Sequence, residues 1–132
     1  MSDATLKCIF CNITSDRIIC ECDKSIAVRD NFPVTPFHTL IIPKRHCRTF
    51  FELTYGELGD MYTLAMQMKQ LIIKFDPTVR GFNIGFNVEA EGGQTVMHCH
   101  MHLIPRRTGD VVNARGGVRN IIPGKGDYKP NE

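Results

Sequence analysis

Long apolar runs are missing from this chain. No segment approaches the roughly 20 consecutive apolar residues that a membrane-spanning helix needs, and residues 1–8 lack the basic start and extended apolar stretch of a secretory signal. These two absences predict a cytoplasmic protein with no membrane partner. In such a compartment six cysteines are expected as thiols or metal ligands rather than as a disulfide framework. Repeats, low-complexity tracts and interdomain linkers are lacking too. A length of 132 residues is sufficient for one compact core and short for two. We therefore expect a single domain over residues 1–132, with its core at about 6–108 and a tail at 109–132. Strong net charge is also absent: the balance is +2, without the broad basic face that nucleic acid requires. Its cations are nevertheless uneven along the chain, since Arg106, Arg107, Arg115, Arg119, Lys125 and Lys129 crowd the end. Such a cluster suits small anions such as phosphates, and equally a solvated basic tail.

The elements that are present describe an α+β domain. Residues 26–30 read as a short strand, Pro33 and Pro36 impose a loop, and a second strand runs from about His38 to Ile42, where Pro43 should end it. Thr54 with Glu57 is a capping-box pair. It opens a run in which Leu58, Met61, Tyr62, Ala65, Met68, Ile72 and Phe75 recur at helical spacing until Asp76-Pro77. From Gly81 to Val88 the period drops to two, with Phe82, Ile84, Phe86 and Val88 on one face and Asn83, Gly85 and Asn87 on the other. The turn-rich residues 89–93 should reverse the chain, so that the next strand pairs antiparallel with this one. An antiparallel sheet with helices packed on one side follows.

Histidine is scarce, with five in the chain, yet His98, His100 and His102 stand at alternate positions. On a strand this spacing puts three imidazoles on one face and Cys99, Met101 and Leu103 on the other. Imidazole near neutral pH can act as base, nucleophile, phosphate-binding cation or metal ligand, so the stripe points to chemistry.

The segment Gly92-Gly93-Gln94-Thr95-Val96-Met97-His98-Cys99-His100-Met101-His102-Leu103-Ile104-Pro105-Arg106 resembles the signature of the histidine triad superfamily of nucleotide hydrolases and transferases. The likeness extends upstream to Pro36-Phe37-His38 and Pro43-Lys44-Arg45-His46, and downstream to residues 115–123. It implies a sheet of about five antiparallel strands with one long and one short helix, forming a homodimer whose sheets join edge to edge. It also implies a nucleotide substrate, a dinucleoside polyphosphate or a nucleoside phosphoramidate, attacked at the α-phosphorus by the middle histidine, here His100. An imidazole nucleophile makes sense chemically, because its phosphoramidate adduct is itself readily hydrolysed. His98 and His102 would hold phosphoryl oxygens, and His38 matches a fourth histidine placed beside the triad. The resemblance assigns Asp30 to the ribose hydroxyls, and Asn87, Gln94 and Thr95 to the phosphates, ribose or leaving group. Phe37 stands where many relatives have glycine.

Cys8 and Cys11 have the spacing of half a tetrahedral zinc site, and redox chemistry or plain burial are the competing readings. The resemblance supplies the other half as His46 and His98, giving a structural zinc that would draw His98 away from the phosphate. Cys20, Cys22, Cys47 and Cys99 read as packing residues. Two other functions compete with a nucleotidyl hydrolase: a hydrolase whose catalytic zinc is held by the stripe, and a nucleotide-binding regulator without turnover.

Overall fold

The structure is a computed structural model and describes residues 3–129. Five strands form one antiparallel sheet: β1 Ile18–Glu21, β2 Ser25–Arg29, β3 Thr39–Pro43, β4 Val79–Gly85 and β5 Met101–Arg107, in the spatial order β1-β2-β3-β5-β4. A short helix, α1 (Asp3–Lys7), precedes the sheet, and the long helix α2 (Tyr55–Phe75) is inserted between β3 and β4. The expected α+β architecture, with one long and one short helix, is the one observed.

α2 starts where the capping box predicts. The Thr54 hydroxyl accepts the Glu57 N–H at 3.0 Å, and the Glu57 carboxylate accepts the Thr54 N–H at 2.9 Å. Glu57 is buried as well, and the Arg45 guanidinium grips it through two bonds of 2.9 Å. That fork holds the Glu57 carboxyl at a pKa of about 2. Arg45 is half exposed, so solvent screens the pair and removing its guanidinium costs only about 1 kcal/mol.

Met61, Leu64, Met68 and Ile72 then press onto Ala27, Ile41, Met101 and Leu103, forming the principal core. Each such side chain contributes about 1.5–3 kcal/mol on burial. The helical stripe is thus narrower than the sequence pattern implied. Tyr62 and Phe75 are 66% and 63% exposed, whereas Leu64 is fully buried. Spacing of three and four fits both rows, and only the sheet's position selects between them.

The opposite face of the sheet carries Ile26, Val28, Leu40 and Ile42, and Phe10, Ile13 and Ile18 pack against it. Here the strand expected at 81–88 is corrected to Val79–Gly85, with Asn87 and Val88 beyond its end. Residues 86–100 make a long connection rather than a tight hairpin before β5 pairs antiparallel with β4. β1 is added at one edge, four residues too short to give a periodic signal. β4 occupies the other edge and exposes Ile84.

The tail folds on itself. The ring of Tyr128 lies under the Arg119 guanidinium at 4.4 Å, and Arg115 pairs with Asp127. Arg106 is bound by Asp110 and Asn83, and Arg107 by Asp76. Arg106, Arg107, Arg115 and Arg119 thus each have a partner within the chain. No helix among the described residues is long and apolar enough to cross a membrane.

Candidate active site and metal centre

The histidine stripe straddles the start of β5. Only His102 lies within the strand, and His98 and His100 stand in the extended segment before it. The alternation still operates. Met101 and Leu103 enter the α2-side core, while the rings of His98 and His100 meet Phe10 on the other face, at centroid distances of 6.1 and 4.9 Å.

The three imidazoles are then separated by their hydrogen bonds. His98 is fully buried, and its Nε2 donates to the Pro43 carbonyl at 2.8 Å. A neutral ring with its proton on Nε2 has a lone pair on Nδ1. That atom faces Cys8 Sγ and Cys11 Sγ, each at 3.4 Å. His46 Nδ1 reaches Cys11 Sγ at 3.1 Å, and the ligand atoms of Cys8, Cys11, His46 and His98 all lie within 4.8 Å of one another. The Cys11 N–H points at Cys8 Sγ at 3.4 Å, a contact that stabilises thiolate charge. Two sulfurs and two imidazoles, with the His98 Nδ1 lone pair aimed at the thiols, are a donor set suited to tetrahedral zinc. The sequence pairing of Cys8 and Cys11 with His46 and His98 is therefore realised in space.

His100 is oriented the other way. Its Nδ1 donates to the His98 carbonyl at 2.8 Å, so the lone pair sits on Nε2. Burial lowers its pKa, with the His98 carbonyl and Asp30 acting in the opposite direction. The ring is thus neutral at neutral pH, with Nε2 unprotonated, as a nucleophile requires.

His102 receives its protonation pattern through a relay. The backbone N–H of Val34 donates to His38 Nδ1 at 3.1 Å, which obliges the proton of a neutral His38 to sit on Nε2. Burial lowers the His38 pKa and keeps that ring neutral. His38 Nε2 lies 2.9 Å from His102 Nδ1 and donates to it, and Asp30 Oδ2 lies 3.4 Å from the same nitrogen. His102, pushed down to about 4 by burial and by its histidine neighbours, then carries its proton on Nε2. It is a donor set beside the His100 ring, with the two centroids 5.1 Å apart.

Asp30 terminates β2 and serves two purposes. Its Oδ1 accepts the Phe32 N–H at 2.8 Å in a local turn, and its Oδ2 turns to His38. Phe37 has φ of 71°, the left-handed region in which a bulky side chain is strained. Glycine would adopt this conformation without that strain. Arg29 lies over the Phe37 ring at 5.2 Å, and the Thr39 hydroxyl donates to the Phe37 carbonyl at 2.8 Å, holding the residue in place.

The remaining expected ligand residues are dispersed along the 86–100 connection. Gln94 is buried with its amide fully engaged: it accepts from the Glu89 N–H and donates to the Arg48 and Val96 carbonyls. In this state it shapes the loop. Thr95 borders an open groove of about 360 Å³ with Lys7, Cys8, Ile9, His46, Val96 and Met97, on the metal side. Asn87 is exposed next to the Gly93 turn. The geometry therefore joins His38, His100, His102 and Asp30 at one centre and Cys8, Cys11, His46 and His98 at another. Among the described residues the three stripe imidazoles do not form one metal-capable group: His98 belongs to the Cys8, Cys11 and His46 set, and His102 forms a second such trio with Asp30 and His38. Sequence reasoning missed Phe10. Its position inside the Cys8–Cys11 spacing was the available signal.

Comparison with known proteins agrees with the fold. The profile described as HIT domain matches residues 13–109. An uncharacterised HIT-like protein of Saccharolobus solfataricus is 34% identical over 102 residues, which cover 74% of this chain and 73% of that protein. The asymmetrical bis(5'-nucleosyl)-tetraphosphatase of Schizosaccharomyces pombe is 38% identical over 78 residues, 59% of this chain and 42% of its own length. Among solved structures, a zinc-bound histidine triad family protein from Mycobacterium smegmatis superimposes with a TM-score of 0.73 at 29% identity, covering 83% of this chain and 81% of that one.

Proposed function

The chain belongs to the HIT domain family, and we propose that it is a nucleotidyl hydrolase working through a covalent nucleotidyl-histidine intermediate. The observation that carries this reading is the His100 ring, held neutral with its Nδ1 proton committed to the His98 carbonyl and its Nε2 lone pair available. In the first step Nε2 attacks the α-phosphorus of the nucleotide, a P–N bond forms, and the P–O or P–N bond to the leaving group breaks. In the second step water displaces His100, releasing a nucleoside monophosphate and restoring the neutral ring. His102, protonated on Nε2 through the His38 relay, is suited to donate a hydrogen bond to a phosphoryl oxygen as charge develops there. Asp30 is available to the ribose hydroxyls through Oδ2, and Asn87, Gln94 and Thr95 would join the site if the 86–100 connection closes on substrate.

The kinship with the tetraphosphatase supports dinucleoside polyphosphates as the first candidate substrates, and nucleoside phosphoramidates are the second. Zinc at Cys8, Cys11, His46 and His98 belongs to the same proposal, as a structural ion that pins the amino-terminal segment to the sheet. So does a homodimer formed at the β4 edge, where Ile84 on the strand and Tyr62 and Met66 on α2 are exposed.

Hydrolysis of diadenosine polyphosphates and of an adenosine phosphoramidate in ¹⁸O-labelled water tests the reading. One labelled oxygen in the released AMP is expected. Label only in the other product, or no cleavage of any of these compounds by folded protein, would overturn it.

A further inference from the structure

We infer that Phe10 is a positioning residue for His100, and that metal binding at Cys8, Cys11, His46 and His98 is what seats it. The inference rests on the reading of His100 as the nucleophile. Phe10 sits inside the Cys8–Cys11 spacing, so two ligands bracket it in the chain. Its ring meets the His100 ring edge to face, with centroids 4.9 Å apart and planes at 74°. It also meets His98 at 6.1 Å and 80°. One aromatic side chain thus touches both a metal-site imidazole and the nucleophile.

What holds Phe10 there is side-chain chemistry rather than secondary structure. Among the described residues, the hydrogen bonds of the 8–13 segment other than the thiol contacts are local. Cys8 N–H reaches the Thr5 carbonyl, and the Asn12 amide reaches the carbonyls of Thr5, Leu6 and Cys8. No backbone pairing joins this segment to a strand. Its attachments to the sheet are the thiols facing His46 and His98, and the burial of Phe10 and Ile13 against Ile26, Val28, Leu40 and Ile42. An ion shared by the four ligands adds bonds to this docking that apolar contact alone does not provide.

For His100 the consequence is conformational. The His98 carbonyl fixes its Nδ1, but a single hydrogen bond leaves the ring free to leave its rotamer once space opens beside it. The Phe10 edge fills that space. Metal loss therefore releases the segment, withdraws Phe10 and lets His100 sample orientations in which Nε2 no longer faces the phosphorus. A small angular loss at a nucleophile suffices to slow the reaction.

The test uses the full chain, stripped with a chelator and titrated with zinc chloride alone. Nuclear Overhauser contacts between the Phe10 and His100 rings are followed, with the Met68 to Leu103 contact as the reporter of the intact core. The Phe10–His100 contact and the amide protection of residues 8–13 should appear in step with one zinc per chain while the core contact stays constant. Zinc-loaded Phe10→Leu and Phe10→Ala are compared in parallel, with metal content measured. The expected result is full metal content, KM for diadenosine tetraphosphate within twofold, and kcat lowered about tenfold in Phe10→Ala, with Phe10→Leu between. A ring contact that is complete without zinc, or a zinc-loaded Phe10→Ala with unchanged kcat, overturns the inference. A raised KM with unchanged kcat also overturns it, assigning Phe10 to ligand binding. If the stripped protein loses its core, the zinc-loaded variants decide alone. Failure to bind zinc sinks this inference together with the metal reading. Absence of turnover on any nucleotide sinks the hydrolase, while the zinc titration still reports whether Phe10 is seated by metal.

Discussion

The carbonyl oxygen of His98 accepts the Nδ1 proton of His100 at 2.8 Å. Adjacent members of one stripe are thereby given opposite tautomers: His98 presents an Nδ1 lone pair to the thiols, and His100 keeps its lone pair on Nε2. In the proposed mechanism the attacking form of His100 is neutral, and burial lowers its pKa below the ordinary imidazole value of 6.5. Protonation should therefore abolish attack only in acid. The acid limb of the kcat/KM profile is expected below pH 6.5, measured in overlapping buffers at constant ionic strength. A limb at or above 6.5 would contradict the burial argument.

His38 acts through His102. His38→Ala removes the donor to His102 Nδ1 and leaves the Val34 N–H without its acceptor. His102 then chooses its tautomer freely, and kcat should fall by about 10²-fold. His38→Gln can restore an acceptor and a donor on one side chain, so partial recovery is expected. Equal activity in His38→Ala and the parent would remove the relay from the account.

Phe37 offers a comparison of two truncations. Both Phe37→Ala and Phe37→Gly lose the ring that packs against the core and lies beside Arg29. Only glycine also relieves the φ of 71°. Phe37→Gly should therefore be more stable than Phe37→Ala by about 1 kcal/mol in urea unfolding, the reverse of the usual order. An alanine variant equal to or more stable than the glycine variant would show that the backbone at this position is not strained.

Stability should fall in mild acid. The buried imidazoles of His38, His100 and His102 have folded-state pKa values below 6.5, with His102 near 4. Above pH 6.5 both folded and unfolded chains are neutral at these positions and nothing is gained or lost. Below it the unfolded chain takes protons that the folded chain refuses, so stability decreases from 6.5 down to about 4. Urea midpoints between pH 7.5 and 4.5 should decline steadily, and less steeply in His102→Asn. A profile that is flat, or equally steep in that variant, would contradict the buried-imidazole account.

Local chemistry made much of this legible from residues alone. Thr54 and Glu57 announced the start of α2, because capping is a contact between residues three apart. The alternation through His98, His100 and His102 announced a face, and the spacing of Cys8 and Cys11 announced half a metal site. What stayed hidden depends on distant parts of the chain meeting. Whether Leu64 or Tyr62 is buried is decided by where the sheet lies under α2. The separate tautomers of the stripe are decided by the Pro43 and His98 carbonyls and the Val34 N–H, backbone groups that no side-chain pattern records. The engagement of Gln94 with Glu89, Arg48 and Val96 likewise appears only once the 86–100 connection is closed.

The central claim is that His100 Nε2 attacks phosphorus. Rapid quench of the protein with radiolabelled diadenosine tetraphosphate, followed by mass spectrometry of the peptide spanning Val96 to Arg106, tests it most directly. The account predicts an adenylyl group on His100 that forms before AMP is released and is absent in His100→Ala, which should be inactive. Turnover without an adduct at any quench time, together with an active His100→Ala protein, would contradict it.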